Sequence, residues 1–148
     1  MGSDWQPLRV LYLTDKTTPE DILEAKDSGL ICGCKYYPAG ATTNSDSGVT
    51  NLRGLDDVFA AMQDVGLVLQ LHGEVTDEAV DIFDREAEFI ERYLINIAEH
   101  FPQLKIILEH VTTEQGINFV RSSSANVAAT ITPQHLLYNR NDLSLIHI

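Results

Sequence analysis

The chain has 148 residues, 44% hydrophobic and 22% charged, and its 22 Asp and Glu against 10 Lys and Arg give a net charge of −12. So many carboxylates repel nucleic acid phosphates, which disfavours nucleic acid binding, and the apolar content suffices for a core, so disorder and collagen-like structure are excluded. No apolar run approaches the roughly 18 residues of a membrane helix, and Met1-Gly2-Ser3-Asp4 lacks a basic region followed by an apolar stretch, so no membrane association and a cytoplasmic location are expected.

In chain order, Leu8-Arg9-Val10-Leu11-Tyr12-Leu13-Thr14 reads as a β-strand. Thr18-Pro19-Glu20-Asp21 then supplies a cap, a proline for the first helical position and first-turn acids; the helix ends at Gly29, suited to a left-handed cap. A second strand, Ile31-Cys32-Gly33-Cys34-Lys35-Tyr36-Tyr37, holds both cysteines two residues apart, where strand geometry resists a bridge, so both are read as free thiols. Residues 38–48, rich in Gly, Ser, Thr and Asn, read as a mobile loop. Helical spacing over residues 52–65 (Leu55, Val58, Phe59, Met62) stops at Gly66, before the strand Leu67-Val68-Leu69-Gln70-Leu71-His72.

The spacing next predicts a helix over residues 81–99, with Phe83, Ala87, Ile90, Leu94 and Ile97 on one stripe. After Phe101-Pro102 come the strand Leu104-Lys105-Ile106-Ile107-Leu108-Glu109-His110, a helix over residues 113–122 and a fifth strand, Val127-Ala128-Ala129-Thr130-Ile131-Thr132. Strands alternating with helices of this length imply a parallel sheet, so the fold class is α/β and residues 1–148 are read as one domain.

Ligands of parallel α/β sheets gather at the carboxyl ends of the strands. Lys35, His72 and His110 lie at three such ends, 37 and 38 residues apart, one βα unit each time. Neutral imidazole is a favoured zinc donor, and for a pair at matched rim positions zinc ligation and ordinary hydrogen bonding stand level. Lys35 shares a strand face with Gly33 and Tyr37, opposite the cysteines; its spacing leaves open whether it snorkels outward or reacts as a desolvated amine. His135, past the fifth strand, reads first as a structural hydrogen-bonding residue and second as a lining of the same mouth. His100 reads as a solvated helix-end residue, and Glu74, Asp77, Glu78, Asp81 and Asp84 as a capping and solvated acidic surface. Phosphate-cradling loops, dinucleotide fingerprints and the Gly-x-Ser-x-Gly elbow are missing from the sequence.

Five segments together are more specific than any of these signals: Lys35-Tyr36-Tyr37-Pro38-Ala39-Gly40-Ala41-Thr42-Thr43-Asn44-Ser45, Leu71-His72-Gly73-Glu74-Val75-Thr76, Asp81-Ile82-Phe83-Asp84-Arg85-Glu86, Leu108-Glu109-His110-Val111-Thr112-Thr113 and Ala129-Thr130-Ile131-Thr132-Pro133-Gln134-His135-Leu136. In this order and spacing, from about Leu11 to Asp142, the sequence strongly resembles dihydroorotase of the single-function type, in the amidohydrolase superfamily. The resemblance implies a (β/α)8 TIM barrel with two zinc ions at its carboxyl rim, bridged by a carboxylated lysine. Lys35 would be that catalytic and metal-binding lysine, and His72 and His110 would bind the second zinc. Thr42 and Thr43 match loop residues that close over the substrate. The implied reaction is the reversible cyclisation of N-carbamoyl-L-aspartate to L-dihydroorotate in pyrimidine synthesis, with a small-molecule substrate and a possible homodimer as partner.

The length departs from that pattern, since a complete barrel takes about 250 residues. The family's first-strand His-x-His pair and its last-strand aspartate have no counterparts here, so the chain is expected to be an internal, incomplete barrel that is inactive alone. Residues 143–148 depart from the family and are read as a non-family tail, with no role for His147. The alternatives are another cyclic-amide hydrolase, hydantoinase-like, and a non-catalytic half-barrel that binds metal or a partner.

Overall fold

The computed structural model describes residues 5–139, 141 and 142, so the expected tail over residues 143–148 lies outside the described residues. Five strands, β1 (Arg9–Tyr12), β2 (Ile31–Tyr36), β3 (Val68–Leu71), β4 (Lys105–Leu108) and β5 (Val127–Ala129), form one sheet in sequential order. All four pairings are parallel. Helices α1 (Pro19–Asp27), α2 (Asp56–Val65), α3 (Arg85–Phe89), α4 (Ile95–His100) and α5 (Glu114–Ser122) fill the crossovers, and α6 (Pro133–Leu137) follows β5.

The register makes the two sheet faces chemically different. Leu11, Cys34, Leu69, Ile106 and Val127 align across the sheet, as do Tyr36, Leu71, Leu108 and Ala129. Cys34, Leu69, Leu71, Ile106 and Leu108 are all but fully buried, in one core with the helix residues Phe59, Met62, Phe89 and Leu94. Burying a side chain of this size contributes about 1.5–3 kcal/mol, so this face holds the helices on. Side chains alternate along strands, so the row Tyr12, Lys35, Gln70, Ile107 and Ala128 lies on the other face. Both thiols are free, and Cys34 sits on the helix side, opposite Lys35.

The expected cap of α1 is present: Asp21 N–H donates to Thr18 Oγ1 at 3.3 Å and Thr18 N–H donates to Asp21 Oδ2 at 2.8 Å. The helix expected over residues 81–99 differs. Asp81 accepts from the Phe83 amide at 2.9 Å in a turn, and helical structure begins only at Arg85. A π-helical segment, Ile90–Leu94, then widens the turn between α3 and α4. The buried stripe becomes Phe89, Ile90, Leu94 and Ile97, while Phe83 and Ala87 are only half-buried.

The loop over residues 38–48 has more internal structure than its composition suggests. Pro38 and Val49 pair across its base, Ser45 is buried, and the Ser45 hydroxyl donates to the Thr42 carbonyl at 2.6 Å. Among the described residues no helix is long and apolar enough to cross a membrane.

Candidate metal centre

Beyond the last residues of the strands, the sheet ladder continues for one step. His72 N–H donates to the Tyr36 carbonyl at 3.1 Å, Glu109 N–H to the Leu71 carbonyl at 3.0 Å, and Thr130 N–H to the Leu108 carbonyl at 3.0 Å. Alternation therefore puts Tyr37, His72 and Glu109 on the same face as Lys35, at the carboxyl rim. His110 has the wrong parity for this face. Its backbone takes φ +45°, a region uncommon for residues other than glycine, and its N–H is held by Thr130 Oγ1 at 2.8 Å. The ring thereby lies against His72.

The two histidines face each other through nitrogens, His72 Nδ1 and His110 Nε2, 2.9 Å apart. His72 Nε2 is 2.5 Å from Glu74 Oε1. A carboxylate only accepts, so in the neutral ring this contact places the proton of His72 on Nε2 and leaves Nδ1 as a lone pair aimed at His110. Burial, reinforced by His72 and then Lys35, lowers the pKa of His110 and favours the neutral ring that a metal needs.

Lys35 is 6% exposed, and its amine pairs with the Glu109 carboxylate and stands 4.5 Å from the centre of the Tyr37 ring. Burial lowers its pKa, partly opposed by the hydrogen bond and charge of Glu109. Along the rim the aromatic rings follow one another: Tyr12 to Tyr37 at 5.7 Å, Tyr37 to His72 at 5.6 Å, His72 to His110 at 4.7 Å and His110 to the exposed His135 at 6.4 Å. The structure thus brings His72 and His110 into contact and joins Lys35 to them through the Tyr37 ring, with Glu109 paired to the Lys35 amine. Thr42 and Thr43 are exposed on the loop after β2, and neither hydroxyl makes a hydrogen bond among the described residues.

The donor set can be tested against zinc. A tetrahedral ion with Zn–N of about 2.0–2.1 Å sets two imidazole nitrogens about 3.3–3.4 Å apart, so the 2.9 Å pair opens by about half an ångström to admit one. A buried Tyr12 hydroxyl, on the row of Lys35, has no hydrogen-bond partner among the described residues, which suits a site with room for a further acceptor. Among the described residues no three His, Cys, Asp or Glu side chains form a metal-holding group, so the pair needs a donor of another kind. The residues therefore fit zinc as a histidine pair that Lys35 could complete.

Two rim residues escape the sequence reading. Glu74, read there as solvated acidic surface, instead turns onto His72, whereas Asp77 and Asp81 do cap turns, accepting from Ala79 N and Phe83 N. Glu109 is the partner of Lys35, and its parity with Ile107 was the available signal.

An open run of parallel strands with helices packed on one face and polar side chains along its carboxyl rim is part of a parallel α/β barrel of the TIM type. No family model matches the chain. It is 61% identical over 142 residues to a dihydroorotase of Picosynechococcus and 60% identical over the same length to one of Shewanella, in each case across 96% of this chain and 41% of the relative. Among solved structures it is similar to the dihydroorotase of Campylobacter jejuni (TM-score 0.81, 37% identity, 93% of this chain and 39% of that one). It is also similar to the dihydroorotase of Saccharomyces cerevisiae in complex with 5-fluoroorotic acid (TM-score 0.80, 38% identity, 91% of this chain and 41% of that one). Across nearly its whole length the chain is similar to dihydroorotases, and it spans about two-fifths of the length of the relatives it matches.

Proposed function

We propose that this chain supplies part of the active site of a zinc-dependent dihydroorotase, which interconverts N-carbamoyl-L-aspartate and L-dihydroorotate with release or uptake of water. The observation that carries this reading is the 61% identity to a dihydroorotase over 96% of the chain, a stretch that includes Lys35, His72 and His110. The yeast relative's complex with 5-fluoroorotic acid supports a small pyrimidine carboxylate as the substrate class.

In this reading His72 and His110 hold one zinc, and Lys35 joins them after carboxylation of its amine. Carboxylation forms an N–C bond to carbon dioxide and releases a proton, and it requires the neutral amine, which burial of Lys35 favours. Glu109, already paired with that amine, is placed to accept the proton. The product carries an anionic pair of oxygens, toward which the Tyr12 hydroxyl, without a partner among the described residues, can donate. Bound zinc would polarise the ring amide carbonyl and favour attack by water near neutral pH. Glu74 keeps the His72 ring oriented through Nε2. Thr42 and Thr43, whose hydroxyls have no hydrogen-bond partner among the described residues of an exposed loop, bind the substrate carboxylate and shield it from solvent.

The remaining donors and the other zinc's ligands come from outside this stretch, so residues 1–148 act as one incomplete barrel domain. The test is to assay the purified, zinc-supplied chain, alone and mixed with a polypeptide carrying the other three-fifths of a relative. We expect no turnover alone, and dihydroorotate hydrolysis but no hydantoin hydrolysis from the mixture. Hydantoin turnover without dihydroorotate turnover would move the assignment to a hydantoinase-like enzyme. A lone monomer turning over dihydroorotate at about 1 per second or more would overturn the dependence on outside residues.

A further inference from the structure

Glu86 is a carboxylate in the wrong place for a surface helix. It lies in α3 with 8% exposure, among the buried residues of the chain. Burying an ionised carboxylate is costly unless its oxygens are satisfied. Those of Glu86 are satisfied from one source, the segment just after His110. Glu86 Oε1 accepts from Thr112 N–H at 3.1 Å, Thr113 N–H at 2.9 Å and Thr113 Oγ1 at 2.6 Å, and Oε2 accepts from Thr112 N–H at 3.2 Å. The Thr113 hydroxyl in turn accepts from Gly116 N–H at 3.0 Å and caps α5.

Space for this carboxylate is made by a glycine. A Cβ on Gly116 would stand 2.8 Å from Glu86 Oε1 and 2.7 Å from Val111 Cγ1. The arrangement brackets His110. On one side Thr130 holds its N–H and the Val111 N–H, at 2.8 and 3.0 Å; on the other Glu86 ties down the next two residues. Between the two anchors lies the backbone turn of φ +45° that presents the ring to His72. A left-handed conformation in a residue with a bulky side chain persists only where its surroundings fix it.

We propose that Glu86 is a positioning residue for the zinc centre: by accepting the amides of Thr112 and Thr113 it holds His110 in the left-handed turn that sets His110 Nε2 opposite His72 Nδ1. This inference rests on the metal reading of the histidine pair only for its functional consequence; the geometric claim stands on the metal-free chain.

The experiment compares Glu86→Ala, Glu86→Gln and Gly116→Ala with the parent chain. Circular dichroism reports folding, long-range proton–nitrogen spectra report the ring nitrogens of His72 and His110 without metal, and a zinc titration reports affinity. In Glu86→Ala we expect the folded signal to survive, the shared ring-nitrogen signature to vanish and zinc to bind about 10-fold or more weakly, the range found when supporting partners of metal ligands are removed. Glu86→Gln, with its amide oxygen at the Oε1 site, retains three of the four contacts and should restore both signature and affinity. Gly116→Ala, which displaces the carboxylate, should behave as Glu86→Ala.

An unchanged ring signature in folded Glu86→Ala, or equal damage from Gln and Ala, would overturn the proposal. If Glu86→Ala does not fold, the contrast between Glu86→Gln and Gly116→Ala decides in the same way. A complete barrel carrying this segment that shows the ring signature but takes up no zinc would remove the metal reading and leave the positioning role intact; a parent chain without the signature would remove the positioning role.

Discussion

The residue after His72 offers a quantitative test of how the core supports the rim. A Cβ built on Gly73 would lie 2.5 Å from Leu108 Cδ1 and 3.3 Å from Phe89 Cδ1. Ordinary carbon contacts begin near about 3.5 Å, so Leu108 must yield by about 1 Å, yet Leu108 and Phe89 are both fully buried and have nowhere to retreat. Gly73→Ala should therefore destabilise by about 1–3 kcal/mol, as overpacking does. Leu108→Ala, which removes the obstructing methyl and leaves a cavity, should cost about 2–5 kcal/mol. In the double variant the new methyl enters the space that Leu108 vacated, so the combined loss should fall short of the sum by about 1 kcal/mol or more. Urea unfolding followed by circular dichroism, with m constant across the four proteins, gives the cycle. Additivity within about 0.5 kcal/mol would refute the contact between Gly73 and Leu108 as the source of the effect.

Other outcomes follow from the same geometry. Burial, with a smaller contribution from Cys32, pushes the Cys34 thiol up to about 12, so alkylation at pH 8 read by mass spectrometry should modify half-buried Cys32 first and Cys34 only on unfolding. Because the folded state holds the Cys34 proton more tightly, stability should fall as pH rises from about 9 toward about 12, by at most about 1.4 kcal/mol per unit; a rise over that window would contradict the burial. In a complete barrel carrying this segment, Thr42→Ala or Thr43→Ala should lower turnover with zinc content unchanged by elemental analysis. Parallel loss of zinc and activity would assign those threonines a folding role instead.

The alternation of strands and helices was legible because each strand is a short β-rich run closed by glycine or proline signals, and all five strands sit where those signals bound them. The onset of the third crossover helix was not, because Asp81 competes for the Phe83 amide and holds the turn, a local hydrogen bond that periodicity does not register. At the rim, Lys35 and His72 were legible from strand parity. His110 was chosen for its spacing, although simple alternation would point it away; its meeting with His72 depends on one left-handed residue that no pattern of apolar positions encodes.

The residues that sequence reasoning passed over are the carboxylates that hold other rim groups: Glu74 on the His72 ring, Glu109 on the Lys35 amine and Glu86 on the backbone turn after His110. Each looks like a solvated charge in a chain of net charge −12, and the contacts of Glu86 and Glu109 cross 26 or more residues of sequence. A charged residue next to a buried stripe position, as Glu86 is to Phe89 and Ile90, carries the one signal that was available: a carboxylate is kept out of water only where several donors converge on it. Which donors meet at the rim was therefore readable from the strand ends at which they recur, whereas their aim is set by tertiary hydrogen bonds.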